Sequence, residues 1–196
     1  MPLPIGHSLA GIAFQCARPG LFFQSPWRDA FFFMFLANLP DADFLPGMLM
    51  GRPNLFHHGI FHSLGAALAV AAIGGWFFSR KKTVFWPAAL GIFSVFAFHL
   101  LLDYFSRDFV APYGLPLFWP WSGRYFIAAR PLFLNITRSA AAGDFFASLF
   151  NRHNLAAALR EIIALGSLAL AAALLRLRLG KGRAAGKIAC PPDPGA

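Results

Sequence analysis

Long apolar runs alternate with short polar clusters along this chain. Ser63 to Ser79 is apolar and ends in Arg80-Lys81-Lys82. Thr83 to Phe105 follows, interrupted by His99 and Asp103, and Leu155 to Leu179 forms a third run with Arg160 and Glu161 near its start. A helix crossing a bilayer needs about 20 mostly apolar residues, and these runs meet or approach that length. Ile5 to Ala17 and Ala30 to Leu39 are shorter, and the latter ends at Pro40. They predict half-helices or re-entrant elements packed against the others. The pattern therefore predicts an all-α, multi-pass helical membrane protein with about four to five membrane-embedded helices. Residues 1–180 make a single helical membrane domain, and 181–196, rich in Gly, Pro and Lys, a flexible basic C-terminal tail.

Composition supports the membrane reading. Hydrophobic residues make up 58% of the 196 and charged residues 13%, about half the charged share of a soluble domain. The 24 Phe exceed what a soluble core of this size needs, so lipid is expected to cover much of the surface. The net charge is +9, but the basic residues cluster at the ends of apolar runs. That placement fits loop charge and anionic lipid and argues against nucleic acid as a partner. Cys16 and Cys190 are isolated and predict neither a disulfide framework nor a cysteine metal knuckle. The N-terminal stretch lacks a basic leader region and carries His7, unlike a cleaved signal peptide.

The polar clusters are Asp41-Ala42-Asp43, His57-His58-Gly59-Ile60-Phe61-His62 and His99-Leu100-Leu101-Leu102-Asp103. His99 and Asp103 share one helix face at four-residue spacing, and His58 and His62 repeat the spacing. Asp41 and Asp43 follow Pro40 in a turn or an extended segment, able to point one carboxylate at a metal and the other at a ligand histidine. Each cluster alone has an ordinary role available, as a core histidine, a helix cap or an interfacial pair. Together they lie beside apolar spans, where a charged Asp costs about 2.5 to 3.5 kcal/mol unless paired. Imidazole with carboxylate suits zinc, with manganese or iron as alternatives.

Charge bias sets an expected topology. The positive-inside rule puts Arg80-Lys81-Lys82 and the basic end of the third run in the cytoplasm. His58, His62, His99 and Asp103 then face the other side, and so do His7, Asp41 and Asp43 if the two N-terminal segments cross. The connection from Ser106 to Asn154 lies there too and carries an aromatic, proline-rich stretch, Tyr113 to Ser122. That stretch reads as an interfacial belt or as a wall over the metal site, with Arg107, Trp119, Trp121 and Arg124 as substrate-contact candidates. Asp29 and Asp144 read as helix starts, Arg160-Glu161 as an interfacial pair and His153 as solvated.

The ordered set Gly6-His7-Ser8, Leu39-Pro40-Asp41-Ala42-Asp43, His57 to Ser63, His99 to Asp103 and Tyr113-Gly114 to Ser122 resembles the bacterial inner-membrane family of membrane-bound metal-dependent hydrolases. The resemblance covers roughly residues 5 to 125. That family is distantly akin to helical zinc phospholipases C and P1-type nucleases. The resemblance implies His7, Asp41, Asp43, His57, His62, His99 and Asp103 at metal-type positions. The chain departs at His58, where the family carries Arg, and at Phe61, where it carries Thr or Ser.

The resulting expectation is a metal-dependent hydrolase with a zinc-activated water acting on a phosphoester of an amphiphilic substrate such as a phospholipid. The metal candidates are those seven residues, and Asp41, Asp43 and His58 are the catalytic candidates. A non-catalytic, metal-stapled membrane protein is one alternative. An ion or proton transporter is another, disfavoured by uniformly apolar cytoplasmic halves.

Overall fold

The computed structural model describes residues 2–80, 84–107, 109 and 113–188, with side chains through 179. Lys81 and Lys82, on which part of the topology argument rests, lie outside the described residues. The described elements are helical: α1 (Pro4–Ala17), α2 (Pro26–Asn38), α3 (Phe44–Leu49), α4 (Leu64–Ser79), α5 (Phe85–Tyr104), α6 (Phe145–Ser148) and α7 (Arg152–Ile188). Short 3-10 turns lie at Leu39–Asp43 and Pro53–Leu55. Two isolated bridges, Ser106 with Phe133 and Leu115 with Phe126, are the described β pairing.

Two of these helices, α5 and α7 as far as Leu179, are long and apolar enough to cross a membrane. α4 is equally apolar, but its 16 residues span only about 24 Å. α1 and α2 are shorter still. α7 begins at Arg152 and runs on to Ile188, into the stretch expected as a tail. Residues 189–196 lie outside the described residues.

Local chemistry explains the boundaries. α1 and α2 each start with Pro in the first turn, where the missing N–H costs nothing. Ser63 caps α4, its hydroxyl accepting from the Ala66 N–H at 3.1 Å. The side-chain oxygen of Asn151 accepts from the Asn154 N–H at 2.9 Å and starts α7.

α1, α2, α4 and α5 pack along one another. Phe33, Leu36 and Ala37 of α2 meet Ala71 and Phe78 of α4 and Ile92 and Val95 of α5 in one buried core. Ala10, Leu102 and Leu165 join α1, α5 and α7. α1 approaches α2 so closely that a Cβ on Gly11 would meet the Phe33 carbonyl oxygen at 2.6 Å, so only glycine fits there. α1 starts, α2 ends, α4 starts and α5 ends at the same end of this bundle. The Asp41–Asp43, His57–His62 and His99–Asp103 clusters all lie there.

Two carboxylates do structural work the sequence did not reveal. Asp29, read as a helix start, is fully buried in the first turn of α2. It accepts the N–H groups of Gly20 at 2.7 Å, Phe22 at 3.0 Å and Phe23 at 3.1 Å, tying the α1–α2 loop down. Glu161, read as interfacial, is buried on α7 and accepts the Leu3 N–H with both oxygens at 3.0 Å. It thereby satisfies an otherwise orphaned donor at the start of α1.

Candidate metal centre

Asp41 and Asp43 sit on the 3-10 turn that follows Pro40. With about three residues per turn, side chains two apart diverge by roughly 120°. Asp41 consequently faces His7, His62, His99 and Asp103, while Asp43 faces His57 and the far edge of His62. The 57–62 segment is a set of turns and not a helix, which corrects the helical reading of the His58/His62 spacing. His58 has φ +58°, a region that histidine tolerates better than most residues. Its ring lies 5.0 Å from that of His62. His99 and Asp103 share a face of α5 as their spacing requires, Nε2 to Oδ2 being 3.0 Å.

The donor atoms converge on one point. Asp103 Oδ2 lies 3.4 Å from His62 Nε2, and Asp103 Oδ1 lies 3.5 Å from His7 Nε2. His62 and His99 bring their Nε2 atoms within 3.3 Å of each other. Asp41 Oδ1 stands 3.5 Å from His62 Nε2 and 3.8 Å from His99 Nε2, and Asp41 Oδ2 stands 4.0 Å from His7 Nε2. The rings of His7 and His99 stack at 3.9 Å. Asp41, His62, His99 and Asp103 can each offer one ligand atom with all four within 4.8 Å of one another.

These distances fit a metal better than they fit hydrogen bonding. A tetrahedral ion with ligands at about 2.0 to 2.1 Å separates its ligand atoms by roughly 3.3 Å, close to most of the values above. Both carboxylate oxygens of Asp41 and of Asp103, and both nitrogens of His7, are buried with no hydrogen-bond partner. Buried polar atoms are normally paired, and such a concentration of exceptions marks a cluster that could hold an ion. Three carboxylates buried this near one another need compensating positive charge, which a divalent cation would supply.

The outer contacts set the imidazole orientations. His99 Nδ1 donates to the Ala37 carbonyl at 2.7 Å, leaving Nε2 free to coordinate. That carbonyl is in the last turn of α2, where acceptors lack helical partners. His62 Nδ1 lies 2.9 Å from Asp43 Oδ2, the carboxylate–imidazole arrangement that commonly backs a metal ligand. Asp43 in turn is held by His57 Nδ1 at 3.1 Å, and the His57 ring stacks on Phe44 at 3.9 Å. Asp43 and His57 thus lie on the far side of His62, with Asp43 between the two rings. Two further groups there, Asp41 with Asp43 and His57, and His57 with His58 and His62, also bring ligand atoms within 4.8 Å of one another.

Electrostatics follow from the same contacts. Burial disfavours a charged His62, but the carboxylates of Asp103, Asp41 and Asp43 outweigh it and hold its pKa well above the usual histidine range. Burial would raise the Asp41 pKa, yet His99, His62 and His7 hold it below the usual carboxylate range. Burial, reinforced by His58 and His62, pushes His57 well below the histidine range, so it stays neutral.

The four residues expected to touch substrate are placed differently. Trp119 and Trp121 are exposed on a loop that packs against the start of α4, where the Leu64 N–H donates to the Leu117 carbonyl at 2.8 Å. A side chain at Gly65 would collide with the Trp119 carbonyl oxygen. Arg124 is exposed, and the Arg107 guanidinium sits over the Phe109 ring at 5.6 Å. The wall of the cavity beside Asp41 comes instead from the start of α1, from α2, α3 and α6, and from the segment before α6. Ser8, Asn38 and Arg138 line it, and none of the three stood out in the sequence as a wall residue. Asn38 donates to the Ser8 hydroxyl at 3.0 Å, fixing the end of α2 to α1 one residue from His7. The Ser-Asn pair could have been found only by knowing that α1 and α2 pack antiparallel. His153, read as solvated, is exposed and donates to the Asn135 carbonyl at 2.8 Å.

No curated protein and no solved structure matches the chain. The family described as YdjM inner membrane protein matches residues 1–181. With the apolar helices and the polar end of the bundle in view, that match decides the assignment: this chain belongs to the YdjM inner membrane protein family.

Proposed function

We propose that this protein is a membrane-embedded, metal-dependent hydrolase acting on a phosphoester of an amphiphilic substrate such as a phospholipid. The observation that carries the reading is Asp103, whose two buried carboxylate oxygens lack hydrogen bonds yet face Nε2 of His7, His62 and His99. His7, His62, His99, Asp103 and Asp41 would hold the cation, and a nitrogen–oxygen donor set without cysteine favours zinc, then manganese. Such an ion supplies Lewis acidity and lowers the pKa of a coordinated water to near 7. Asp43 fixes the His62 tautomer and His57 braces Asp43. Asp41 has an 11% exposed side chain, whereas His7, His62, His99 and Asp103 are at 0%. Asp41 alone of these five lines the neighbouring cavity, which makes it the group set between the ion and substrate, as ligand or as general base. In this reading α4, α5 and α7 cross the inner membrane, α1 and α2 enter part way, and the site faces the non-cytoplasmic side.

The near-complete burial of the donors also favours a second reading, a closed metal staple that holds short helices together. The test is metal content and phosphodiester turnover of detergent-purified protein, wild type beside His62→Ala and Asp103→Ala. Stoichiometric zinc or manganese with turnover, both lost in the variants, supports the hydrolase. Metal without turnover supports the staple. Absence of metal after supplementation overturns both.

A further inference from the structure

We infer that the cavity beside Asp41 is a binding site for the alkyl chain of an anionic amphiphile, entered sideways from the bilayer. The inference rests on the hydrolase reading and adds to it where the substrate lies. The cavity has a volume of about 460 Å³, within the range of small-molecule sites. Asp41 is the one member of the metal-ligand set His7, Asp41, His62, His99 and Asp103 that forms part of its wall, with its carboxylate oxygens buried behind that wall. The rest of the wall is nearly all apolar, including Leu45 and Met48 of α3, Phe145 of α6 and Leu149 just beyond it.

The rim points to a lipid and not to a water-soluble substrate. Phe35, Leu45 and Phe146 line the cavity and are themselves 53%, 61% and 63% exposed. Leu49 and Phe150, immediately beyond, are 91% and 89% exposed. An apolar mouth ringed by apolar surface is costly in water but matches the acyl region of a membrane. At the polar end Arg138 lines the same cavity, its guanidinium 5.1 Å above the Phe44 ring and its Nε donating to the Asn54 side chain at 2.8 Å. An anionic head group would lie between Arg138 and a cation at Asp41, with its chain along α3 and α6.

The experiment is photocrosslinking in phosphatidylcholine nanodiscs, using dodecyl phosphate with a diazirine at the chain terminus. Label is expected on residues 45–48 and 145–149, suppressed by excess dodecyl phosphate and not by inorganic phosphate. Leu45→Trp and Leu149→Trp, which fill the cavity, should each cut labelling about tenfold while Leu45→Met retains it. Metal content, measured in the same samples, should match wild type in all three. Label spread along the outward face of α7, or equal competition by inorganic phosphate, overturns the proposal. If both Trp variants lose metal, the labelled residues in wild type decide. Cavity labelling without phosphoester turnover would sink the hydrolase reading and leave the chain site standing; turnover with label elsewhere would do the reverse.

Discussion

α5 and α7 are equally apolar and both long enough to cross a bilayer, yet their surroundings are opposite. In their most apolar stretches, 44% of α5 is buried inside the protein and only 6% of α7. α5 runs through the middle of the bundle, with Ile92, Val95, Phe96 and Leu100 all nearly inaccessible. It ends in His99 and Asp103, which the neighbouring helices enclose. α7 touches the bundle along one stripe, at Ala157, Leu165 and Ala169, and gives the interior one acid, Glu161. Apolar composition thus sets compatibility with lipid, while position among the other helices decides whether a helix can carry chemistry. A buried carboxylate such as Asp103 is tolerable only where several partners converge, and a helix facing lipid offers none.

The most severe break in this comparison is Asp103→Ala. It removes the carboxylate that faces three imidazoles, and metal affinity should fall by more than about a hundredfold, read by elemental analysis and titration of purified protein. Retained stoichiometric metal would remove Asp103 from the site. Next is packing. Ile92→Ala in α5 should cost about 2–5 kcal/mol in reversible unfolding, as expected where a cavity is left in a tight core.

Asp43→Asn tests whether the outer contact matters. Affinity should drop about 10- to 100-fold because His62 loses the acceptor that orients it. The wild-type pH profile sharpens the point. His62 has a raised pKa, so its proton must leave before Nε2 can bind an ion. Affinity should therefore fall about tenfold for each unit of pH below that pKa, and Asn at 43 should move the profile to lower pH. A pH-independent affinity would contradict His62 as a ligand.

Glu161→Ala probes the polar link from α7 to the start of α1. Losing the acceptor for the Leu3 N–H should cost about 1–3 kcal/mol, seen as earlier thermal unfolding with metal stoichiometry unchanged. The smallest effect is expected from Ile163→Ala on the outward face of α7, within about 0.5 kcal/mol of wild type. A loss there as large as at Ile92 would mean that α7 packs against something on its exposed side.

Much of the helix pattern was legible because apolar runs reflect local demands. The runs Ile5 to Ala17, Ser63 to Ser79 and Thr83 to Phe105 lie within two residues of α1, α4 and α5. α2 starts four residues earlier than expected, at Pro26, and α7 starts at Arg152 and extends past Leu179. Convergence of His7, Asp41, His62, His99 and Asp103 followed from the alternation of helix directions. The partners of individual side chains were not legible. Asp29 and Glu161 were read as a helix start and an interfacial residue because backbone acceptors and donors leave no mark in side-chain sequence. The Ala37 carbonyl that orients His99 has no sequence signal at all. The aromatic stretch at Trp119 and Trp121 was a plausible wall by composition, but it packs against α4, and the cavity is lined from α1, α2, α3 and α6.

By itself the sequence determined that this chain is helical, suited to a membrane and polar at one end of its apolar runs. Those properties follow from transfer energies and helix spacing, which each segment carries alone. Only the tertiary structure decided which histidine nitrogens face inward, that Asp43 lies between His57 and His62, and that Asp41 borders an apolar cavity. These depend on atoms tens of residues apart being held within a few ångströms, a balance of packing and desolvation that no single segment contains.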